Sequence, residues 1–189
     1  MKNELAQAHA ELARWQSAAD FIALFETWNS KTPNKVFHGS LGGSLREAWV
    51  LAEYVKQVAM DCVRLSDTEE RWPDGYVEVD GETKSVEITE VMEPWRRRGD
   101  ELKNPGPAIQ MDPVENWAAR AEAIPGALKK IIEGKAKKRY GSPATLLVHL
   151  NIPTHGIRQK ETKKIIAEIK AEHALAFEQI VVLWNYRLY

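Results

Sequence analysis

A β-hairpin is predicted by Arg71-Trp-Pro-Asp-Gly-Tyr-Val-Glu-Val-Asp-Gly-Glu-Thr-Lys-Ser-Val-Glu-Ile-Thr-Glu90, the stretch that decides the fold of this chain. Residues 76–79 are rich in strand formers, and Asp80-Gly81 supplies the pair of positive φ angles that a tight hairpin turn prefers. Residues 83–91 then follow the period of two that is typical of a strand, with Glu87 between the apolar Val86 and Ile88. We therefore expect two antiparallel strands joined at Asp80-Gly81.

Alternation along the second strand decides which side chains share a face. Val86 and Ile88 lie on one face and predict the core, whereas Glu87 lies on the other face with Thr89 and predicts a solvent cleft. A Glu between apolar neighbours requires a partner or a cleft. Asp74, at the mouth of the hairpin, would join Glu87, although an ordinary turn residue is the alternative. Because Mg²⁺ prefers hard carboxylate oxygens, the pair predicts a magnesium site.

The two acidic motifs of the hairpin resemble those of a known superfamily. Pro73-Asp74 followed on the next strand by Glu87-x-Thr89 resembles the PD-(D/E)XK nucleases, which have the restriction-endonuclease-like fold. The resemblance implies Mg²⁺ or Mn²⁺ held by Asp74, Glu87 and the backbone carbonyl of Ile88, and hydrolysis of phosphodiester bonds in DNA or RNA. Thr89 stands where the superfamily has a catalytic Lys. The chain is therefore expected to be a metal-dependent nuclease or, alternatively, a degenerate nuclease-like module that binds nucleic acid or protein.

A lysine on a predicted basic helix is the candidate replacement for the missing Lys. The buried stripe of this helix passes through Leu128 and Ile131, and Lys135 continues it. An unpaired buried ammonium is costly, so Lys135 must reach a carboxylate such as Glu87 or Asp74, or an open cleft. The resemblance implies that a neighbouring helix can supply a displaced catalytic Lys. The alternative is a surface lysine that extends past its apolar neighbours into solvent.

The segments before and after the hairpin predict helices. Residues 3–28 predict one long helix. A second helix is predicted to begin with Ser44 as N-cap and Glu47 as its capping-box partner, and to carry Cys62 on its apolar stripe. After the aperiodic stretch 92–112, Asp112 predicts the N-cap of a helix that is interrupted at Pro125-Gly126 and followed by another over residues 127–140.

The C-terminal third predicts a strand, a helix and another strand. Residues 144–152 form a near-continuous apolar run that is typical of a central parallel strand. A helix over residues 160–173 and a strand over residues 179–184 follow. Together these elements predict one α/β domain over residues 1–189, with a restriction-endonuclease-like mixed central sheet flanked by helices. Residues 1–42 would be an N-terminal helical extension and connector, and residues 43–185 the nuclease-like core.

Composition limits the classes of partner. The chain has 26 basic and 27 acidic residues and a net charge of −1, so no global basic field attracts nucleic acid. Contacts to DNA or RNA must come from local patches, for which the candidates are Arg96, Arg97, Arg98 and Lys138. Without a long apolar run, we predict no membrane partner and a cytoplasmic protein. Self-association through the Trp-rich helices stays open.

Overall fold

The strands form one seven-stranded mixed sheet whose order in space follows their order in the sequence. The computed structural model describes residues 2–31, 42–93, 112–138 and 144–189. Within these ranges the elements are, in chain order, α1 (Lys2–Leu12), β1 (Gln16–Ser17), α2 (Ala18–Lys31), α3 (Gly42–Val55), β2 (Cys62–Leu65), β3 (Gly75–Val79), β4 (Glu82–Met92), α4 (Val114–Ala136), β5 (Thr145–Asn151), α5 (Gln159–Glu172), β6 (Gln179–Trp184) and β7 (Arg187–Leu188).

The sheet is antiparallel at both edges and parallel in the middle. Strands β1 to β4 are antiparallel neighbours, β4, β5 and β6 run parallel, and β7 returns antiparallel to β6. The parallel neighbours are joined through α4 and α5, because a parallel pair needs a long crossover connection. The predicted mixed α/β sheet flanked by helices is confirmed.

Two hydrophobic clusters pack on opposite faces of the sheet. Helices α1 to α3 cover one face, where Leu12, Phe21 and Leu51 belong to the same buried cluster as Val86 and Ile88. Helices α4 and α5 cover the other face over β5 and β6. The prediction that Val86 and Ile88 face the core is confirmed. The predicted N-terminal extension supplies part of this core, while its boundary at residue 42 stays a prediction.

The hairpin forms as predicted. Strands β3 and β4 pair from Gly75 opposite Val86 to Val79 opposite Glu82. The turn between them places Asp80 at φ 52° and Gly81 at φ 77°. Glycine adopts this left-handed region without the Cβ clash that other residues incur, which explains why Asp-Gly joins the strands here.

The prediction of one helix over residues 3–28 is wrong. Two helices form instead, because Gln16 and Ser17 leave the helical path and pair with Val63 and Cys62 of β2. The Ser17 hydroxyl then accepts a hydrogen bond from the Asp20 N–H at 3.1 Å, which caps the first turn of α2. The pairing with β2 and this cap outweigh the continuous helical periodicity.

The second predicted helix ends earlier than expected. Helix α3 stops at Val55, and Cys62 lies in β2 rather than on a helical stripe. The helix also begins at Gly42, so Ser44 has helical backbone and is not the N-cap. Pairing of β2 with both β1 and β3 decides the conformation of Cys62, since tertiary pairing outweighs local helical preference.

The predicted break at Pro125 is also wrong. Helix α4 runs without interruption through Pro125, and Pro113 rather than Asp112 precedes its first turn. Its continuous buried stripe, which includes Ile124 and Leu128, packs on the sheet and offsets the loss of the backbone N–H at Pro125. The Asp112 carboxylate instead accepts hydrogen bonds from Trp117 Nε1 and Arg120 Nη1 at 2.8 and 2.7 Å.

The elements after α4 agree with expectation. Strand β5, helix α5 and strand β6 occupy the predicted segments, and β5 lies parallel to its two neighbours. Strand β7 was not predicted. Among the helices in the described ranges, none is long and apolar enough to cross a membrane.

Candidate active site

The candidate site lies where β3 and β4 part. Strand β3 pairs with β4 only as far as Val86, whereas β4 continues to Met92 alongside β5. Asp74 directly precedes β3 at this point, and its own N–H donates to the Val86 carbonyl at 3.1 Å. The Asp74 Oδ2 atom accepts a hydrogen bond from the Ile88 N–H at 2.7 Å. The Asp74 carboxylate thus accepts a hydrogen bond from β4 just beyond the last residue that β3 pairs with. This bond fixes the position of the carboxylate beside β4.

Glu87 reaches the opposite face of the sheet from Val86 and Ile88, as the alternation predicts. Its Oε1 atom accepts a hydrogen bond from the Nζ of Lys135 on α4, 48 positions away. Glu87 is only 5% exposed, so the expectation that it faces a solvent cleft is wrong. The reason is that α4 packs over this part of β4 and covers the carboxylate with the Lys135 side chain.

Glu47 is a third carboxylate at the site, and its position was not predicted. The sequence favoured a capping role for Glu47, but it lies in the second turn of α3 and is half-buried. Burial and then the negative charge of Asp74 raise the pKa of Glu47 to about 7, with a smaller contribution from Glu87. Arg46 and Lys135 oppose this rise. The one available signal was a Glu on a helix whose other residues are mostly apolar.

Asp74 experiences the same environment. Burial and then the charge of Glu87 raise its pKa to about 6, while the Ile88 N–H bond and the charges of Lys135 and Lys138 oppose the rise. Three carboxylates, one of which directly contacts a lysine, therefore share a partly desolvated space. Two of them titrate close to neutral pH, which is the range a catalytic proton acceptor requires.

The donor set fits a divalent cation. Asp74 and Glu87 supply hard oxygen atoms, and a bound divalent cation would offset both the desolvation and the repulsion that raise the pKa of Asp74. No three His, Cys, Asp or Glu side chains in the described ranges are already arranged around one point. Binding would therefore require the carboxylates to adjust, with Lys135 giving up part of its contact with Glu87.

Thr89 stands where the resemblance places a catalytic lysine. It is half-buried, and strand alternation puts it on the face of Glu87. The ammonium at this site comes from Lys135 instead. Lys84, on the other face of β4, pairs with Glu178 at 2.5 Å. The structure thus places Lys135, and not Lys84, beside Glu87.

The predicted nucleic-acid contacts are only partly described. Lys138 is exposed just beyond α4. Its charge lowers the pKa of Asp74, so it lies near enough to the carboxylates to act on them electrostatically. Lys129, on the same helix, pairs with Glu172 at 2.8 Å. Arg96, Arg97 and Arg98 lie outside the described residues.

No protein-family model, curated protein or solved structure matches this chain. The interpretation of the site therefore depends on its geometry and on the chemistry of its side chains. Both point to a partly buried acidic cluster, formed by the hairpin and α3, with a lysine supplied by α4.

Proposed function

We propose that the chain is a metal-dependent nuclease of the PD-(D/E)XK type, which hydrolyses phosphodiester bonds in nucleic acid. The observation that carries the proposal is the convergence of Asp74 and Glu87 with Lys135 of α4. The element order from α3 through the antiparallel strands β2 to β4 and then α4 and the parallel β5 also supports it, since the resemblance implies that order.

The residues that would hold Mg²⁺ or Mn²⁺ are Asp74 and Glu87, with the Ile88 carbonyl as a third ligand. When bound, such a cation polarises the scissile phosphate and lowers the pKa of a bound water. The N–H of Ile88 donates to Asp74, so the backbone at Ile88 and the Asp74 carboxylate are held as one unit. This preorganisation keeps two of the three oxygen donors in place before substrate binds.

Glu47 and Lys135 would act on the proton and on the developing charge. Glu47, with its pKa raised to about 7, accepts the proton of the attacking water as its oxygen bonds to phosphorus. The bond from phosphorus to the leaving oxygen breaks, and that oxygen takes a proton from solvent. Lys135 supplies the positive charge that Thr89 lacks and orients the Glu87 carboxylate.

A catalytically inactive binding module is the second candidate, and one observation favours it. The Lys135 ammonium already contacts Glu87 Oε1. An ammonium in this position competes with a metal ion for the same oxygen. In a module of this kind the Lys135–Glu87 pair would be a permanent part of the fold, and the chain would bind nucleic acid or protein without cutting it.

The test is cleavage of labelled single-stranded DNA, double-stranded DNA and RNA, with Mg²⁺ or Mn²⁺ and with a chelator. Asp74→Asn and Glu87→Gln should each reduce metal-dependent cleavage by at least about 100-fold, the scale on which one catalytic group commonly acts. Glu168→Gln, on the exposed side of α5, is the matched control, since it removes the same charge far from the site.

Direct metal binding separates the two candidates. A nuclease should bind Mn²⁺ by isothermal titration calorimetry, and Glu87→Gln should weaken that binding while Glu168→Gln does not. If folded wild-type protein neither binds Mn²⁺ nor cuts any of the substrates, the nuclease proposal is wrong and the binding module is the better description.

A further inference from the structure

A partly enclosed cavity of about 170 Å³ adjoins the carboxylate cluster on the α3 side of the sheet. Glu47 belongs to its lining, so the cavity and the candidate active site share a wall. Cavities of about 150 Å³ have room for a single aromatic ring such as benzene. The space beside Glu47 is therefore of the right size for one planar base. Its wall includes Arg46, Glu47, Val50, Ile88, Glu90 and His149.

The polar groups of this cavity can read the edge of a base. Glu90 Oε1 accepts a hydrogen bond from Asn151 Nδ2 at 2.8 Å and lies 3.6 Å from His149 Nδ1, so the carboxylate is held in place. Arg46 Nε lies 3.8 Å from Glu90 Oε2, which is longer than a hydrogen bond. A carboxylate acceptor and a guanidinium donor thus lie side by side in the cavity wall, and both are group types that pair with the edge of a base.

Aromatic rings lead from the cavity to the surface. Trp49 packs edge-on against His149 with ring centroids 4.7 Å apart, and Tyr186 packs edge-on against Trp49 at 6.1 Å. Tyr186 is 72% exposed at the tip of the β6–β7 hairpin. It has a φ of 59°, a left-handed conformation that is costly for a bulky residue. A large ring is thus presented to solvent at a turn where a small polar residue would be less strained.

We propose that this cavity binds one unpaired nucleobase next to the scissile phosphate, so that the substrate is single-stranded nucleic acid or an unpaired segment of it. The inference rests on the nuclease function proposed above. Glu90 would accept from the amino or ring N–H groups of the base, and Arg46 would donate to its carbonyl or ring nitrogen. The exposed ring of Tyr186 would stack on the neighbouring base.

Binding and cleavage are tested separately. Fluorescence anisotropy of a labelled single-stranded oligonucleotide and of its blunt duplex is measured with Ca²⁺ in place of Mg²⁺, and a gel verifies that the oligonucleotide stays intact. Glu90→Gln and Arg46→Gln should each weaken single-strand binding about tenfold, the scale of one base-edge contact. Tyr186→Gly, which tolerates the positive φ and removes the side chain with its ring, should cause a similar loss through stacking.

The control and the duplex decide the outcome. Glu168→Gln removes one negative charge, as Glu90→Gln does, but on the exposed side of α5. It should leave single-strand binding unchanged. Duplex binding should be weaker than single-strand binding and insensitive to Glu90→Gln. If duplex and single strand bind equally well, and the three variants bind like wild type, the base pocket is wrong. The nuclease proposal still stands in that case if metal-dependent cleavage is observed. Absence of binding to every oligonucleotide, together with absence of cleavage, would overturn both proposals.

Discussion

Lys135 of α4 donates a hydrogen bond to Glu87 of β4, and both side chains are largely buried, at 17% and 6% exposed. The contact joins the helix that crosses between β4 and β5 to the strand that carries the candidate metal ligands. A buried pair of this kind costs desolvation energy that its own attraction only partly repays. Its presence at this position is therefore weak evidence of a gain in stability.

Removing only the lysine should destabilise the fold. Lys135→Met leaves the Glu87 carboxylate buried without its ammonium, which we expect to lower the free energy of unfolding by about 3 kcal/mol at neutral pH. Lys135→Met combined with Glu87→Gln should recover part of this loss, because the buried negative charge is gone. Guanidinium unfolding measures both. Lys129→Met, which breaks the half-exposed pair with Glu172 on the same helix, should have little effect. An equal loss in the Lys135 and Lys129 variants would contradict the prediction.

A lysine should be able to supply the ammonium from position 89 as well as from position 135. Lys135→Ala should abolish metal-dependent cleavage, and Thr89→Lys should restore part of it in that background, because residue 89 lies on the same strand face as Glu87. Single-turnover cleavage rates measure the rescue. Lys84→Ala, on the other face of β4, is the control and should retain activity. Failure of Thr89→Lys to raise the rate in a folded double variant would show that the position of the ammonium, and not its charge alone, is required.

The raised pKa of Glu47 predicts that stability falls as pH rises. Its pKa is about 7 in the folded protein and 4.5 without the fold, so the folded state binds more protons between these values. Unfolding free energy therefore decreases through this window, by on the order of 2 kcal/mol, and the loss is complete above pH 7. Glu47→Gln removes the effect. The unfolding free energy of Glu47→Gln relative to wild type should therefore rise from pH 4.5 to pH 7. Chemical unfolding with a chelator present measures it, and a difference that stays constant with pH would refute the prediction.

The same linkage predicts a stabilising effect of metal at high pH. Carboxylates bind a divalent cation in their deprotonated form, so Mg²⁺ or Mn²⁺ should raise the thermal unfolding temperature of wild-type protein more at pH 8 than at pH 5. Asp74→Asn should lose most of this increase. An increase of the same size in wild type and Asp74→Asn would indicate binding elsewhere on the protein.

Gly75 should be intolerant of a side chain. A Cβ there would lie 3.0 Å from the Arg64 carbonyl oxygen and 3.1 Å from Leu51 Cδ2. Because the Arg64 carbonyl belongs to the neighbouring strand, Gly75→Ala should cost about 1–3 kcal/mol in unfolding free energy and displace Asp74. Gly126→Ala is the matched control, since a Cβ added there meets nothing within 4 Å outside the neighbouring backbone of α4, and it should stabilise by roughly 0.5–1 kcal/mol. Weaker Mn²⁺ binding in the Gly75 variant alone would confirm the displacement.

The hairpin and the C-terminal strands could be predicted because local signals define them. Asp80-Gly81 sets the turn, and alternation assigns Glu87 to the face opposite Val86 without any knowledge of the rest of the chain. The short strands β1, β2 and β7 could not be predicted, since two to four residues are too few to show a period. Their conformation is decided by pairing with strands that are distant in the sequence. The pairing of β2 also decides that α3 ends before it reaches Cys62.

The sequence by itself determined the hairpin, the candidate carboxylates Asp74 and Glu87, and the need of Lys135 for a partner or an open cleft. Each follows from spacing within one element, because side-chain direction repeats with the backbone. Only the tertiary structure decided that Lys135 contacts Glu87, that Glu47 joins them from α3 and that Glu87 is buried. These residues are tens of positions apart in the chain, and helix packing on the sheet, which no local period encodes, brings them near one another.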